Sequence, residues 1–155
     1  MSMELSVNVN NIVKPKTRYQ TRKAIDELAK DLSLPNEQWM QDWPYEVANK
    51  NDIEKYLEYY NRTTDEDKKF ILMEMLIQSV EEQPTEEKFL HFWNIVKCLI
   101  EEDFLIHEYT IWYWCLFEEV DEDHLKGAWK ITPFLRELWH KNRQYQKAAQ
   151  SAPKA

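Results

Sequence analysis

The chain has 155 residues, of which 43% are hydrophobic, 14% aromatic and 31% charged, with a formal net charge of −8 and a single glycine. That length and apolar content suit one compact domain, and seven tryptophans exclude a disordered or low-complexity chain. One glycine excludes phosphate-cradling loops, dinucleotide fingerprints and nucleophile elbows, because each needs several glycines where backbone approaches a ligand or turns through positive φ.

Residues 2–16, with Leu5, Val7 and Val9 alternating ahead of Pro15, predict an N-terminal arm or a short edge strand. Helical periodicity begins at Thr17, with Ala24, Ile25, Leu28 and Leu32 on one face and Pro35 as the stop. Over 36–48, Trp39, Met40, Trp43 and Tyr45 predict one or two helical turns interrupted near Pro44. Asn51 or Asp52 caps a helix with Ile53, Tyr56, Leu57 and Tyr60 on one side, and Thr64 with Asp67 opens the next like a capping box. This next helix, 64–82, is apolar almost all round, and its polar stripe is Glu74, Gln78 and Glu81.

Past Pro84 and Thr85 comes a helix bearing Phe89, Phe92, Trp93, Val96, Leu99 and Ile100. Another runs over 103–120, and its centre, 111–117, has no solvated face and belongs in the middle of the domain. A short helix over 121–130 follows, and the last opens with Thr132 as N-cap and Pro133 as first helical residue. The fold class is therefore all-α, a single domain over 17–148 of about six to eight antiparallel helices in a hairpin repeat or bundle, with 149–155 a frayed tail.

The segment 56–61 matches 89–94 residue type for residue type, as 76–82 matches 116–122. Through these pairs the middle of the chain, 52–122, resembles antiparallel helical-hairpin repeat proteins of the HEAT or tetratricopeptide kind, without the tetratricopeptide glycine. The resemblance implies a binding scaffold and assigns no role to any residue.

Charge is distributed unevenly. Residues 65–123 carry four Lys and Arg against 17 Asp and Glu, whereas 124–155 carry seven against one. The acidic middle makes nucleic acid a poor direct partner and a basic protein a natural one. With helices alternating in direction, Glu81, Glu82, Glu118, Glu119, Asp121 and Glu122 gather at one end of the domain, and the first four sit in last helical turns, against the helix dipole. A rim that serves solubility is the plainer alternative. Trp39 and Trp43 beside Pro44 are candidate aromatic anchors, although tryptophan is equally at home in a small core.

For chemistry, His91 lies four residues after Glu87 and His107 four after Asp103, spacings that suit metal ligation but are ordinary in an acidic helix. Cys98 comes opposite His107 by counting through the turn between their helices, a potential thiolate pair; its apolar neighbours make a packed core thiol the stronger expectation for it, as for Cys115. The longest apolar run, 111–117, is too short to span a bilayer, and the first 13 residues lack a leader pattern, so the expected setting is soluble and cytoplasmic. The expected function is a non-catalytic inhibitor or immunity-type module for a basic protein partner, with no cofactor, metal, nucleic acid or membrane. The alternatives are an adaptor docking through a Trp-rich surface and a helical enzyme or metal protein.

Overall fold

A computed structural model describes residues 12–151, the side chains of 122, 123, 126 and 144–151 excepted. Among the described residues it is all-α: α1 Arg22–Asp31, α2 Trp43–Val47, α3 Ile53–Arg62, α4 Glu66–Glu81, α5 Glu86–Glu102, α6 Phe104–Cys115 and α7 Thr132–Ser151, with 3-10 turns at Lys50–Asp52 and Glu122–Gly127. Most of the expected N-terminal arm lies outside the described residues, as do 152–155. By internal contacts the chain forms two compact units, Arg18–His107 and, among the described residues, 12–17 with 108–151.

In the unit Arg18–His107, α4 is the central helix and is packed by α1, α2, α3 and α5. Its run from Phe70 to Ile77 is buried without a break, which explains why its apolar residues surround the axis. The helices around it show narrower apolar faces. α1 buries Ala24, Ile25, Leu28 and Ala29, and α5 buries Phe89, Trp93, Val96 and Ile100. Thr21 and Thr85 start α1 and α5 by accepting from the backbone N–H three residues on.

Several boundaries differ from the sequence reading, each for a local reason. α4 is capped by Asp65, whose carboxylate accepts from Lys68 N, and Thr64 takes no part. Pro44 stands in the first turn of α2, where its missing N–H has no helical partner to lose, so it starts this helix and does not interrupt it. α6 stops at Cys115, five residues short of Val120, because Leu116 takes the left-handed conformation with φ of 53°. Ser33, just past α1, does the same at 54°. A chain with one glycine must place these helix-ending turns on other residues, at a cost of about 1 kcal/mol each.

In the other unit, α7 begins at Thr132, whose hydroxyl donates to Trp114 O at 2.9 Å instead of capping its own helix. Trp114 packs on Trp129, with ring centroids 4.2 Å apart, and Phe117 on Trp139 at 6.0 Å. The centre of α6 is not sealed on every side: Ile111, Trp114 and Cys115 are buried, but Tyr113 is 45% exposed. A tyrosine tolerates that position because its hydroxyl can remain in water.

Candidate interaction surfaces

The turn after α6 places the second acidic group. Glu118 and Glu119 are exposed, and they lie in a turn, not in the last turn of a helix as expected. Val120 N and Glu119 N both return to Leu116 O, closing this turn. Arg136 of α7 secures it from inside the unit. The residue is 4% exposed, and its guanidinium donates to Cys115 O at 2.7 Å, Leu116 O at 3.1 Å and Val120 O at 2.5 Å. A fork of donors thus takes the Cys115 carbonyl oxygen at the helix end and two carbonyl oxygens of the turn that follows. Asp121 is exposed and pairs with His124 across the start of the 3-10 turn, while the side chain of Glu122 is outside the described residues.

Along α6 the aromatic residues form a partly open face. Tyr109 and Trp112 are one turn apart and half-buried, their rings 6.1 Å apart and 26° from parallel. Lys14 Nζ lies 4.9 Å from the Trp112 ring centroid. Glu108 on the same helix is engaged by Arg143 of α7.

The first acidic group belongs to the other unit. Glu81 ends α4 and is half-buried, Glu82 is the exposed C-cap and accepts from Gln78 Nε2 at 2.7 Å, and the exposed Glu86 and Glu87 open α5. The tryptophans expected as a pair separate here. Trp39 is 69% exposed, whereas Trp43 is 1% exposed and donates its indole N–H to Pro35 O at 2.6 Å. Trp43 is therefore a core residue, fixed where the chain enters α2.

Two buried polar sites in this unit were not legible as sites in the sequence. Glu74, expected on a polar stripe, is 6% exposed, accepts from Gln20 Nε2 at 3.2 Å and is also hydrogen-bonded by Tyr45. Burial pushes its carboxyl up to about 7, against the effect of those hydrogen bonds. His107 is fully buried with Nε2 2.7 Å from Tyr60 Oη, and that hydroxyl is also 2.7 Å from Asp103 Oδ2, which Lys69 Nζ approaches to 3.2 Å. Burial lowers His107 to about 3 and raises the Tyr60 phenol well above its ordinary range. Burial alone would raise Asp103, but hydrogen bonds from Tyr60 and Lys69 outweigh it and hold the carboxyl below its ordinary value.

The Cys98 and His107 pairing is not formed. Cys98 is exposed on α5, contrary to the expected core thiol, because the buried stripe of that helix runs through Val96 and Ile100 and leaves position 98 outside; His107 is turned to Tyr60. His91 is exposed, with its ring edge-on to Phe92 at 4.9 Å. Among the described residues no group of three or more His, Cys, Asp or Glu is arranged to hold a metal ion. A cavity of about 500 Å³ opens beside Asp31, Tyr59, Arg62 and Thr63. None of the described helices is long and apolar enough to cross a membrane. The chain matches no protein-family model, no curated protein and no solved structure.

Proposed function

We propose that this chain is a non-catalytic, acidic helical module that binds a basic protein in the cytoplasm, in the manner of small inhibitors of nucleases or toxins and of immunity-type proteins. The observation that carries this reading is the turn after α6. Glu118 and Glu119 are exposed, no cation pairs with either among the described residues, and they follow a helix whose Tyr109, Trp112 and Tyr113 are partly open. Unneutralised carboxylates steer a basic partner inward, and aromatic side chains then supply slow dissociation. The sealed position of His107 supports a structural role for this histidine, since a substrate must reach a catalytic base. Free Cys98 and Cys115 accord with a reducing compartment. The likeness to HEAT and tetratricopeptide arrays belongs to the same reading, with α3, α4 and α5 as consecutive packed helices of a binding scaffold.

A specific observation favours a second reading, an adaptor that docks through exposed aromatic surface: Trp39 is 69% exposed in the loop before α2. The two differ in salt dependence. A captured partner whose association slows with rising salt, and slows again when Glu82, Glu118 and Glu119 are changed to Gln, supports the acidic module. Salt-insensitive binding that is lost in Trp39→Ala supports the adaptor.

A further inference from the structure

We propose that the Tyr109 and Trp112 face of α6 is a lysine-recognition surface, occupied in the free chain by Lys14 and taken over by a lysine side chain of the basic partner. This inference rests on the acidic-module reading and assigns the contact that reading needs. The two rings are stacked one helical turn apart, so Tyr109 backs the Trp112 ring and helps hold it in place. The Lys14 ammonium, 4.9 Å above the Trp112 centroid, shows which chemical group that surface accepts. Lys14 is itself exposed and has no carboxylate partner among the described residues, so the ring is its described attraction. Pro15, next to it in the chain, is buried and anchors the segment, while Lys14 remains exposed.

The neighbouring charges select the same ligand. Glu108 is already neutralised by Arg143, whereas Glu118 and Glu119, beyond the C-terminal end of α6, remain unpaired among the described residues. The helix C-terminus adds negative potential of its own. An aromatic platform with this field around it favours a basic side chain over a neutral or acidic one. Because an exposed ammonium on an aromatic ring is held weakly, the intramolecular lysine is displaceable and acts as a competitor of modest strength.

The test uses the full chain with a capped peptide of alternating alanine and lysine, and the same peptide with its lysines acetylated, followed through the indole N–H resonance of Trp112. That resonance is assigned by its absence in Trp112→Phe. The lysine peptide should shift it saturably, Lys14→Ala should tighten binding about two- to fivefold, and Trp112→Leu should weaken it by a similar factor. Trp112→Phe, which keeps a ring, should lie between wild type and Trp112→Leu, and circular dichroism checks that each variant folds. The proposal is overturned if Lys14→Ala leaves the affinity unchanged or lowers it, or if the acetylated peptide shifts Trp112 equally well. Should the peptide bind in a salt-dependent way that Glu118→Gln with Glu119→Gln reduces, yet ignore both Lys14→Ala and Trp112→Leu, the acidic module stands and this surface falls. Should the opened Lys14→Ala surface bind no lysine peptide, this proposal falls, while the salt dependence of the captured partner decides the broader reading separately.

Discussion

Tyr60 Oη and His107 Nε2 stand 2.7 Å apart, and a third group sets the direction of their hydrogen bond. The Asp103 carboxylate, 2.7 Å from the same hydroxyl, can only accept, so Tyr60 donates to Asp103 and the His107 Nε2–H donates to Tyr60. The imidazole proton is thereby assigned to Nε2, and Nδ1, which has no hydrogen-bond partner among the described residues, carries a lone pair in the interior. A second proton there would create a buried charge.

This arrangement gives His107 a contribution of its own to acid sensitivity. His107 is held down at about 3 in the fold, whereas an unfolded histidine protonates near pH 6.5. At this site the unfolded chain therefore binds more protons in that interval, so the contribution of His107 is complete above about pH 6.5 and declines as pH falls toward 3. His107→Gln keeps an N–H donor for Tyr60 without a titrating ring and should flatten that decline in urea denaturation followed at several pH values. Tyr60→Phe deprives both Asp103 and His107 of a partner and should cost about 1–3 kcal/mol.

Glu74 runs in the opposite sense. With its folded carboxyl raised from 4.5 to about 7, the native state holds the proton longer than the unfolded chain does. Its ionisation therefore costs stability that grows as pH rises from about 4.5 to 7 and is constant above. Glu74→Gln, neutral at every pH and able to serve Gln20 and Tyr45, should be more stable than wild type by about 1–3 kcal/mol at pH 8. The advantage should vanish near pH 4.5, and thermal unfolding at the two pH values measures it.

The two thiols should separate cleanly. Cys98 is exposed, while Cys115 is fully buried and burial pushes its thiol far up. A disulfide reagent should label Cys98 quickly in the native chain and reach Cys115 only upon unfolding. Equal rates at both sites would contradict the packing of Cys115.

Removing the Arg136 fork should loosen one end of α6. Arg136→Met removes the side-chain donor from the carbonyl oxygens of Cys115 and Val120 and one of the donors to Leu116 O, and the expected loss is about 2–4 kcal/mol. Arg136→Lys, a point charge without the planar fork, should recover only part of it. Amide exchange over 116–120 should accelerate in both variants before that of α7 changes.

The residues that were legible in the sequence are those whose local rule has no competitor. The separation of α4 from α5 at Pro84 and Thr85 is met, and the apolar surround of α4 does mean burial on most sides. Where two rules compete, tertiary contacts decide. Asp65 outcompetes Thr64 as the cap of α4, while Thr63 Oγ1 accepts from Asp65 N to shape the entry. Glu74 reads as a solvated residue until Gln20 and Tyr45, distant in sequence, come to bind it. The carbonyl oxygens past the early end of α6 are met by Arg136, 20 residues beyond Leu116, so no window around the helix end contains that partner.

The acidic and aromatic residues give the last prediction its form, because they should affect different rates. Glu82, Glu118 and Glu119 are exposed, so their joint replacement by Gln should leave thermal stability nearly unchanged while slowing association with the basic partner at low salt. The difference from wild type should shrink as ionic strength rises and screening shortens to about 8 Å. Trp39→Ala should leave stability unchanged and, if this loop meets the partner, raise the dissociation rate. Trp43→Ala supplies the contrast: it removes a buried ring and its hydrogen bond to Pro35, and should cost about 3–5 kcal/mol of stability. Its effect on binding should appear only where the fold itself fails. Association that ignores both salt and the Gln replacements, with dissociation hastened by Trp39→Ala, would transfer the binding role from the acidic residues to the loop before α2.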